Sequence, residues 1–224
     1  MKEKDVKIKI IEYLVKTEKH FIVIPEIGLG NNSANARGLS RADIFAVNGY
    51  ISIYEIKTEN DTLKRLQSQL ETYKKYANKV NVVVAEKFLK DMENIDEEVG
   101  IFIIKKNNKI EKIRDAIFQD LPVESYLSYW WGSELKKLFK GCKKNNLLKY
   151  QEGIEKLKNL LTDKQIENLT LFRLKERYKE ESDFIKNAIK EKKYELLFPK
   201  REYKKNIKVT PLKDIPFGVL NPFC

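Results

Sequence analysis

Residues 41–69 read RADIFAVNGYISIYEIKTENDTLKRLQSQ, and the fold turns on how they are parsed. Residues 41–47 and 50–57 are apolar runs on either side of Asn48-Gly49, a pair that favours a tight hairpin turn. Each predicted strand carries charge that a buried sheet does not accept without a partner. Asp43 stands in the first, Glu55 and Lys57 in the second. Asp61-Thr62 then opens a predicted helix over 61–78, with Leu63, Leu66, Leu70, Tyr73 and Ala77 on one side.

Phosphodiester hydrolysis at neutral pH needs a water nucleophile and a counter-charge for the phosphate oxygens. Mg²⁺ or Mn²⁺ held by one or two carboxylates supplies both, and a nearby lysine steadies the charge that builds up. Asp43, Glu55 and Lys57 are that set. Glu55 and Lys57 are two apart and share a strand face. Whether Asp43 joins them depends on the turn. A two-residue turn pairs Val47 with Tyr50 and puts Asp43 opposite Tyr54, on the wrong face. A three-residue loop with a bulge pairs Ala46 with Tyr50 and puts Asp43 opposite Ile53, diagonal to Glu55. Diagonal partners lie roughly 7–8 Å apart, close enough to converge on one ion. The bulged register, or an equivalent irregularity, is therefore the expected one.

Outward from the hairpin the pattern is α/β. Residues 3–18 carry Val6, Ile10, Ile11, Leu14 and Val15 at helical spacing. Residues 21–27, FIVIPEI, predict a strand in which Pro25 implies an edge position or a bulge and Glu26 is the one acid. Residues 28–40 are a loop by composition. The run 80–85, VNVVVA, has the continuous apolar character of a central strand. A short helix over 86–95 and strands over 100–106 and 109–115 follow. The order is α-β-β-β-α-β-α-β-β, a mixed sheet flanked by helices.

Near Leu121-Pro122 the character becomes helical. Helices are expected over 125–141 and 150–161, a third behind a Thr162/Gln165 capping box, and a fourth capped by Ser182 or Asp183 and ending near Leu197. The division expected is 1–118 for the α/β core, 119–198 for the helical region and 199–224 for an extended basic tail. His20 is expected to close the first helix, not to bind metal. Trp130 and Trp131 are expected mainly to pack, with base stacking the smaller share.

The chain has 224 residues, 42% of them apolar and 34% charged. One histidine excludes multi-histidine metal sites and argues against a Ser-His-Asp mechanism. Two cysteines, Cys142 and Cys224, give no disulfide framework and fit a reducing, cytoplasmic setting. No apolar window is long enough to span a membrane, and the N-terminus does not read as a signal peptide. The net charge is +11, of which residues 1–118 carry +3 and residues 119–224 carry +8. That excess fits a polyanionic partner, most often nucleic acid, or a solvated lysine-rich surface. Lys136, Lys137 and Lys140, with Lys143 and Lys144, form a cluster open to both readings.

The triplet E-x-K occurs four times, at Glu55, Glu134, Glu191 and Glu202, so it carries little alone. Only the one at Glu55 ends an apolar strand behind a strand that also carries an acid. In that context the segment resembles the PD-(D/E)XK nuclease superfamily, with its restriction-endonuclease-like fold. The finer pattern is R-x-D, E-I-K, then D-T-L-x-R-L-x-x-Q and a tyrosine. It is similar to small bacterial and phage-borne members near a mitomycin-resistance type of DNA-repair endonuclease. Arg41, Asp61, Thr62, Leu63, Arg65, Leu66, Gln69 and Tyr73 match, as do the G-I-F-I-I run and Trp131 with Glu134 and Leu135. The resemblance covers about residues 3–118, and Ala42 stands where the superfamily's name has proline.

The resemblance implies a metal-dependent nuclease, on DNA rather than RNA. Asp43 and Glu55 would hold the ion, Glu26 would touch it directly or through water, and Gln69 would position water or phosphate. From spacing alone, Gln69 shares a helix face with Arg65 that differs from the leucine face and points toward the sheet edge. Arg41 would contact phosphate or pair with a strand carboxylate. Arg65, Lys136, Lys137 and Lys140 complete the expected nucleic-acid contacts, with the C-terminal region also open to a second copy or a protein partner. The alternative is a binding or interaction module on a nuclease fold that does not cut, used by phages or mobile elements in defence or counter-defence.

Overall fold

The computed structural model describes residues 1–29, 41–140, 149–198 and 208–221. It opens with helix α1, Glu3–Thr17, whose stripe Val6, Ile10, Ile11 and Leu14 is buried. Glu3 and Asp5 in its first turn and Lys16 in its last complement the helix dipole. His20 lies beyond this helix, exposed and with φ at 53°.

Strands β1 (Ile22–Gly28), β2 (Arg41–Val47), β3 (Ile51–Lys57), β4 (Lys79–Ala85), β5 (Gly100–Ile104) and β6 (Ile110–Arg114) form one sheet in that order. β3, β4 and β5 run parallel, and antiparallel pairs close both ends. β1 is an edge strand, which accommodates Pro25 as expected. The centre is buried on both faces: every residue of β3 and β5 is buried, as are residues 80–85 of β4. The span 86–95 forms two 3-10 turns, Glu86–Phe88 and Lys90–Asn94, in place of one short helix.

One face of the sheet packs Val23, Ile44, Ala46, Tyr54, Ile56, Val83 and Phe102 against the apolar stripe of α1 and against Ile185, Ala188 and Ile189. Those last three belong to helix α6, Asp163–Lys190. Ser182 does not cap a separate fourth helix. It lies buried inside this 28-residue helix, and its Oγ accepts the Val23 N–H at 3.0 Å. A serine buried in a helix can serve a neighbouring strand amide, and that partner is invisible to a capping pattern. The compact unit built on the sheet accordingly comprises residues 1–29, 38–121 and 180–200, so its C-terminal part lies far beyond residue 118.

The second unit takes in residues 122–179. The helix expected over 125–141 is broken into α3 (Val123–Leu127) and α4 (Gly132–Leu138), with the tryptophans between them. Trp130 is 1% exposed and donates from Nε1 to Thr170 Oγ1 at 2.9 Å, so it is a packing residue. α5 (Tyr150–Leu160) falls where expected. The Thr162/Gln165 box is reciprocal: Thr162 N donates to Gln165 Oε1 at 3.0 Å, and Gln165 N donates to Thr162 Oγ1 at 3.3 Å. Of the tail expected to be extended, the described residues 208–221 contain short helical turns at Leu212–Asp214 and Phe217–Leu220. Lys143, Lys144 and the tail residues 199–207 lie outside the described residues.

Gly100 opens β5 where no side chain fits. A Cβ there would lie 2.2 Å from Asn81 Oδ1 and 2.8 Å from the Ala116 amide nitrogen. Asn81 is itself held, donating to the Ile53 carbonyl at 3.2 Å. Gly100→Ala is expected to destabilise the protein by about 1–3 kcal/mol through overpacking, read from a urea melt.

Candidate active site: a row of carboxylates across three strands

The hairpin resolves the parity question in favour of a shared face, by a register other than the one drawn from sequence. Val47 pairs with Ile51, Ala46 with Ser52, Phe45 with Ile53 and Ile44 with Tyr54. Three residues, Asn48 to Tyr50, make the turn, and Asn48 N donates to the Tyr50 carbonyl at 3.0 Å. The expected Ala46–Tyr50 pair is not formed. Asn48 is tied outward as well, with Nδ2 donating to Glu18 Oε2 at 2.8 Å, a tertiary contact that local turn preference does not include. Continuing the observed register sets Asp43 directly opposite Glu55, not diagonal to it. On the other side, Glu26 falls between the Pro25–Ile44 and Ile27–Ala42 pairs, level with Asp43. Glu26, Asp43 and Glu55 thus form one row across β1, β2 and β3.

The backbone departs from regular sheet along this row. The β2–β3 ladder stops at Ile44–Tyr54, and the Ile56 N–H is taken by Asp43 Oδ2 at 2.8 Å. Glu26 has φ at 53°, left-handed backbone that a side-chain-bearing residue adopts at a cost of about 1–3 kcal/mol. Strain of that kind clusters at functional sites.

Glu55 is buried at 2% exposure and fully engaged. Its Oε1 accepts Lys57 Nζ in a short ion pair and Gln69 Nε2 at 2.7 Å, and its Oε2 accepts the Tyr73 hydroxyl at 2.6 Å. Gln69 and Tyr73 come from α2, Leu66–Lys74. Gln69 therefore reaches the interior strand β3, not the sheet edge. The helix begins five residues later than expected. Asp61 does not open it: Oδ2 accepts the Thr58 N–H at 2.8 Å and the Thr58 hydroxyl at 2.7 Å, which closes the turn after Lys57. That turn delivers α2 with Gln69 and Tyr73 over Glu55.

Tyr73 matches the motif's tyrosine but is expected only to pack, and the sequence reading gives Lys7 no role; both join this cluster. Tyr73 counted as core on the leucine face. It is buried, but its hydroxyl bridges to Glu55 and 3.0 Å from the Arg41 carbonyl. Lys7 lies on the apolar stripe of α1 between Val6 and Ile10, and a lysine in that position was the available signal. Its Nζ is 2.5 Å from Glu3, 2.9 Å from Glu26 and 3.1 Å from Asp43. Burial alone would lower its pKa, but the carboxylates around it, Glu3 first, raise it well above the usual lysine value. Arg41 takes the second of its expected roles, pairing with Glu26 at 3.3 Å. Arg65 is exposed at the start of α2.

Asp43 is pushed up to about 6, by burial first and by the facing Glu55 charge second, against the pull of Lys7 and the Ile56 amide. A carboxyl raised in the folded state binds its proton more tightly there than in the unfolded chain. Its contribution to stability is therefore full below the unfolded value of 3.8 and is lost as pH rises to about 6. Asp43→Asn is expected to flatten this part of the stability–pH profile, measured by denaturant titration between pH 4 and about 7.

Among the described residues, no group of three or more His, Cys, Asp or Glu is close enough to cage a metal ion. The donor set instead fits an ion of the magnesium kind, which takes one or two carboxylates and keeps its waters. Burial first, and the facing Glu55 charge second, raise the Asp43 carboxyl, and a bound cation would offset both. Beside the two carboxylates, the buried Gln69 Oε1 has no donor among the described residues, the environment a bound water completes. Lys136 and Lys140, exposed, and Lys137, half-buried, belong to the second unit. No described helix is long and apolar enough to cross a membrane.

Residues 1–196 match the family model described as bacteriophage P4 protein cII. The chain is 31% identical over 195 residues to protein cII of Enterobacteria phage P4, covering 83% of this chain and 71% of that one. Among solved structures, a protein of unknown function from Silicibacter pomeroyi overlaps 53% of this chain and 73% of its own, with a TM-score of 0.39 and 20% identity.

Proposed function

The chain belongs to the bacteriophage P4 protein cII family, and we propose that it is a metal-dependent phosphodiesterase of the PD-(D/E)XK type acting on nucleic acid, DNA before RNA. The observation that carries this reading is the convergence of Asp43, Glu55, Lys57 and Gln69 on one face. Glu55 accepts from both Lys57 and Gln69, and the β2–β3 register runs Asp43 in opposite it.

Asp43 and Glu55 would hold Mg²⁺ or Mn²⁺, with Glu26 next in the row. When bound, the ion supplies a more acidic water and a counter-charge for phosphate oxygens. The chain's own residues do the rest. Lys57 would lie beside the reacting position and stabilise the negative charge that grows on phosphate. Gln69 Oε1 offers a free acceptor that orients a water hydrogen. Tyr73 fixes Glu55 by its second oxygen. Arg65 and the lysines at 136, 137 and 140 are the proposed phosphate contacts.

A second reading, a phage factor that binds nucleic acid or protein without cutting, has its own support. Both carboxylates of the pair already carry a lysine, Lys7 on Asp43 and Lys57 on Glu55. The family assignment supports the phage setting of that reading. Labelled single-stranded, duplex and branched DNA and RNA, incubated with the protein and Mg²⁺ or Mn²⁺, separate the two. Cleavage of at least one substrate, abolished by Glu55→Gln, is expected. Binding with no metal-dependent cleavage on any of them would establish the second reading.

A further inference from the structure

The row of acids is longer than one ion needs, and Lys7 divides it. Glu55 is held by α2 and Lys57. At the other end, Glu3, Glu26 and Asp43 all turn toward the Lys7 ammonium, at 2.5, 2.9 and 3.1 Å. The Lys7 side chain is 3% exposed, whereas those of Glu3 and Glu26 are 49% and 40% exposed and water reaches them. A buried ammonium is expensive unless its partners neutralise it, and here three carboxylates do. Glu26 keeps its left-handed backbone at this contact.

We propose that Lys7 is a built-in cation occupying the second ion position of the site, so that the protein takes one divalent ion, between Asp43 and Glu55, and excludes a second between Asp43 and Glu26. This rests on the metal-site reading above. Lys7 is a positioning residue: its Nζ satisfies Asp43 Oδ1 while Oδ2 stays on the Ile56 amide, which fixes the Asp43 carboxylate opposite Glu55. Its substitution removes the buried cation that Glu26 and Asp43 share, leaves Arg41 as the ion-pair partner on the outer oxygen of Glu26, and opens room for a hydrated ion.

The test is Mn²⁺ stoichiometry, by calorimetry and by the electron paramagnetic resonance signal of free Mn²⁺, on the full chain. Wild type is expected to bind one Mn²⁺ per chain and Lys7→Ala two. The double variant Lys7→Ala/Glu26→Gln should return to one. Lys7→Arg, which keeps the charge, should stay at one and serves as the control if Lys7→Ala melts early: with that variant unusable, the proposal stands on one ion in both wild type and Lys7→Arg, and two in wild type overturns it. One ion in wild type and in folded Lys7→Ala alike overturns the role of Lys7 and leaves the metal site intact. No Mn²⁺ bound by any form removes the metal-site reading and this inference with it.

Discussion

Lys57→Ala is expected to lower metal-dependent cleavage by about 10²–10³-fold while Mn²⁺ binding is kept or tightened. The two effects separate because Lys57 plays two parts. In the proposed reaction it would be the ammonium nearest the phosphate, and in the structure it is an ion-pair partner of Glu55. Removing it takes away charge stabilisation in the transition state and frees a Glu55 oxygen for the ion. Glu55→Gln, by contrast, should remove cleavage and binding together. It should also let the Asp43 carboxyl fall back toward the ordinary carboxylate range, since the Glu55 charge is one of the causes holding it at about 6. Cleavage rates and calorimetric titrations on the same preparations check both. Wild-type cleavage by Lys57→Ala would take Lys57 out of the chemistry. Loss of binding along with cleavage would make it only a support for Glu55.

Glu134→Ala is expected to cost about 3–5 kcal/mol of stability, seen as a lower urea midpoint. Glu134 is fully buried in α4. It accepts Arg173 at 3.0 Å and Arg177 at 2.7 Å on one oxygen, and Arg177 again at 2.5 Å on the other. Arg177 also donates to the Tyr129 carbonyl at 2.7 Å and stacks on Trp131, 4.3 Å from the ring centre. Without Glu134 two buried guanidinium groups lose their shared anion, although Glu176 still pairs with Arg173. A loss under about 1 kcal/mol would mean that the arginines reach other partners. The contrast with Glu55 is instructive. Both glutamates head an E-x-K triplet and both are buried, yet one anchors a structural ion network and the other faces a second carboxylate.

Periodicity made the sheet and its flanking helices legible, because burial on one or both faces leaves its mark every few residues. The run 80–85 was readable as a central strand for that reason, and Pro25 as an edge residue. What periodicity could not supply were contacts between distant segments. The hairpin register depends on Asn48 meeting Glu18, thirty residues away. The continuity of α6 through Ser182 depends on a strand amide 159 residues away. Asp61 looked like a helix cap but closes its own turn, because a short carboxylate can serve either purpose. That Asp43, Glu55, Lys57 and Gln69 come together was legible in the sequence, for Asp43 only through the parity of the turn, whereas their roles are the proposal made above. Lys7 was missed because a lysine on an apolar stripe is ordinarily a long side chain reaching past the core to water. Here it stays inside, and three acids hold it there.

Diffraction at the manganese absorption edge from crystals grown with Mn²⁺ tests the central claim most directly. One anomalous peak bonded to a carboxylate oxygen of Asp43 and one of Glu55, and absent from Asp43→Ala crystals, is the result expected. An occupied ion elsewhere on the chain, or none between these two residues at saturating Mn²⁺, would contradict it.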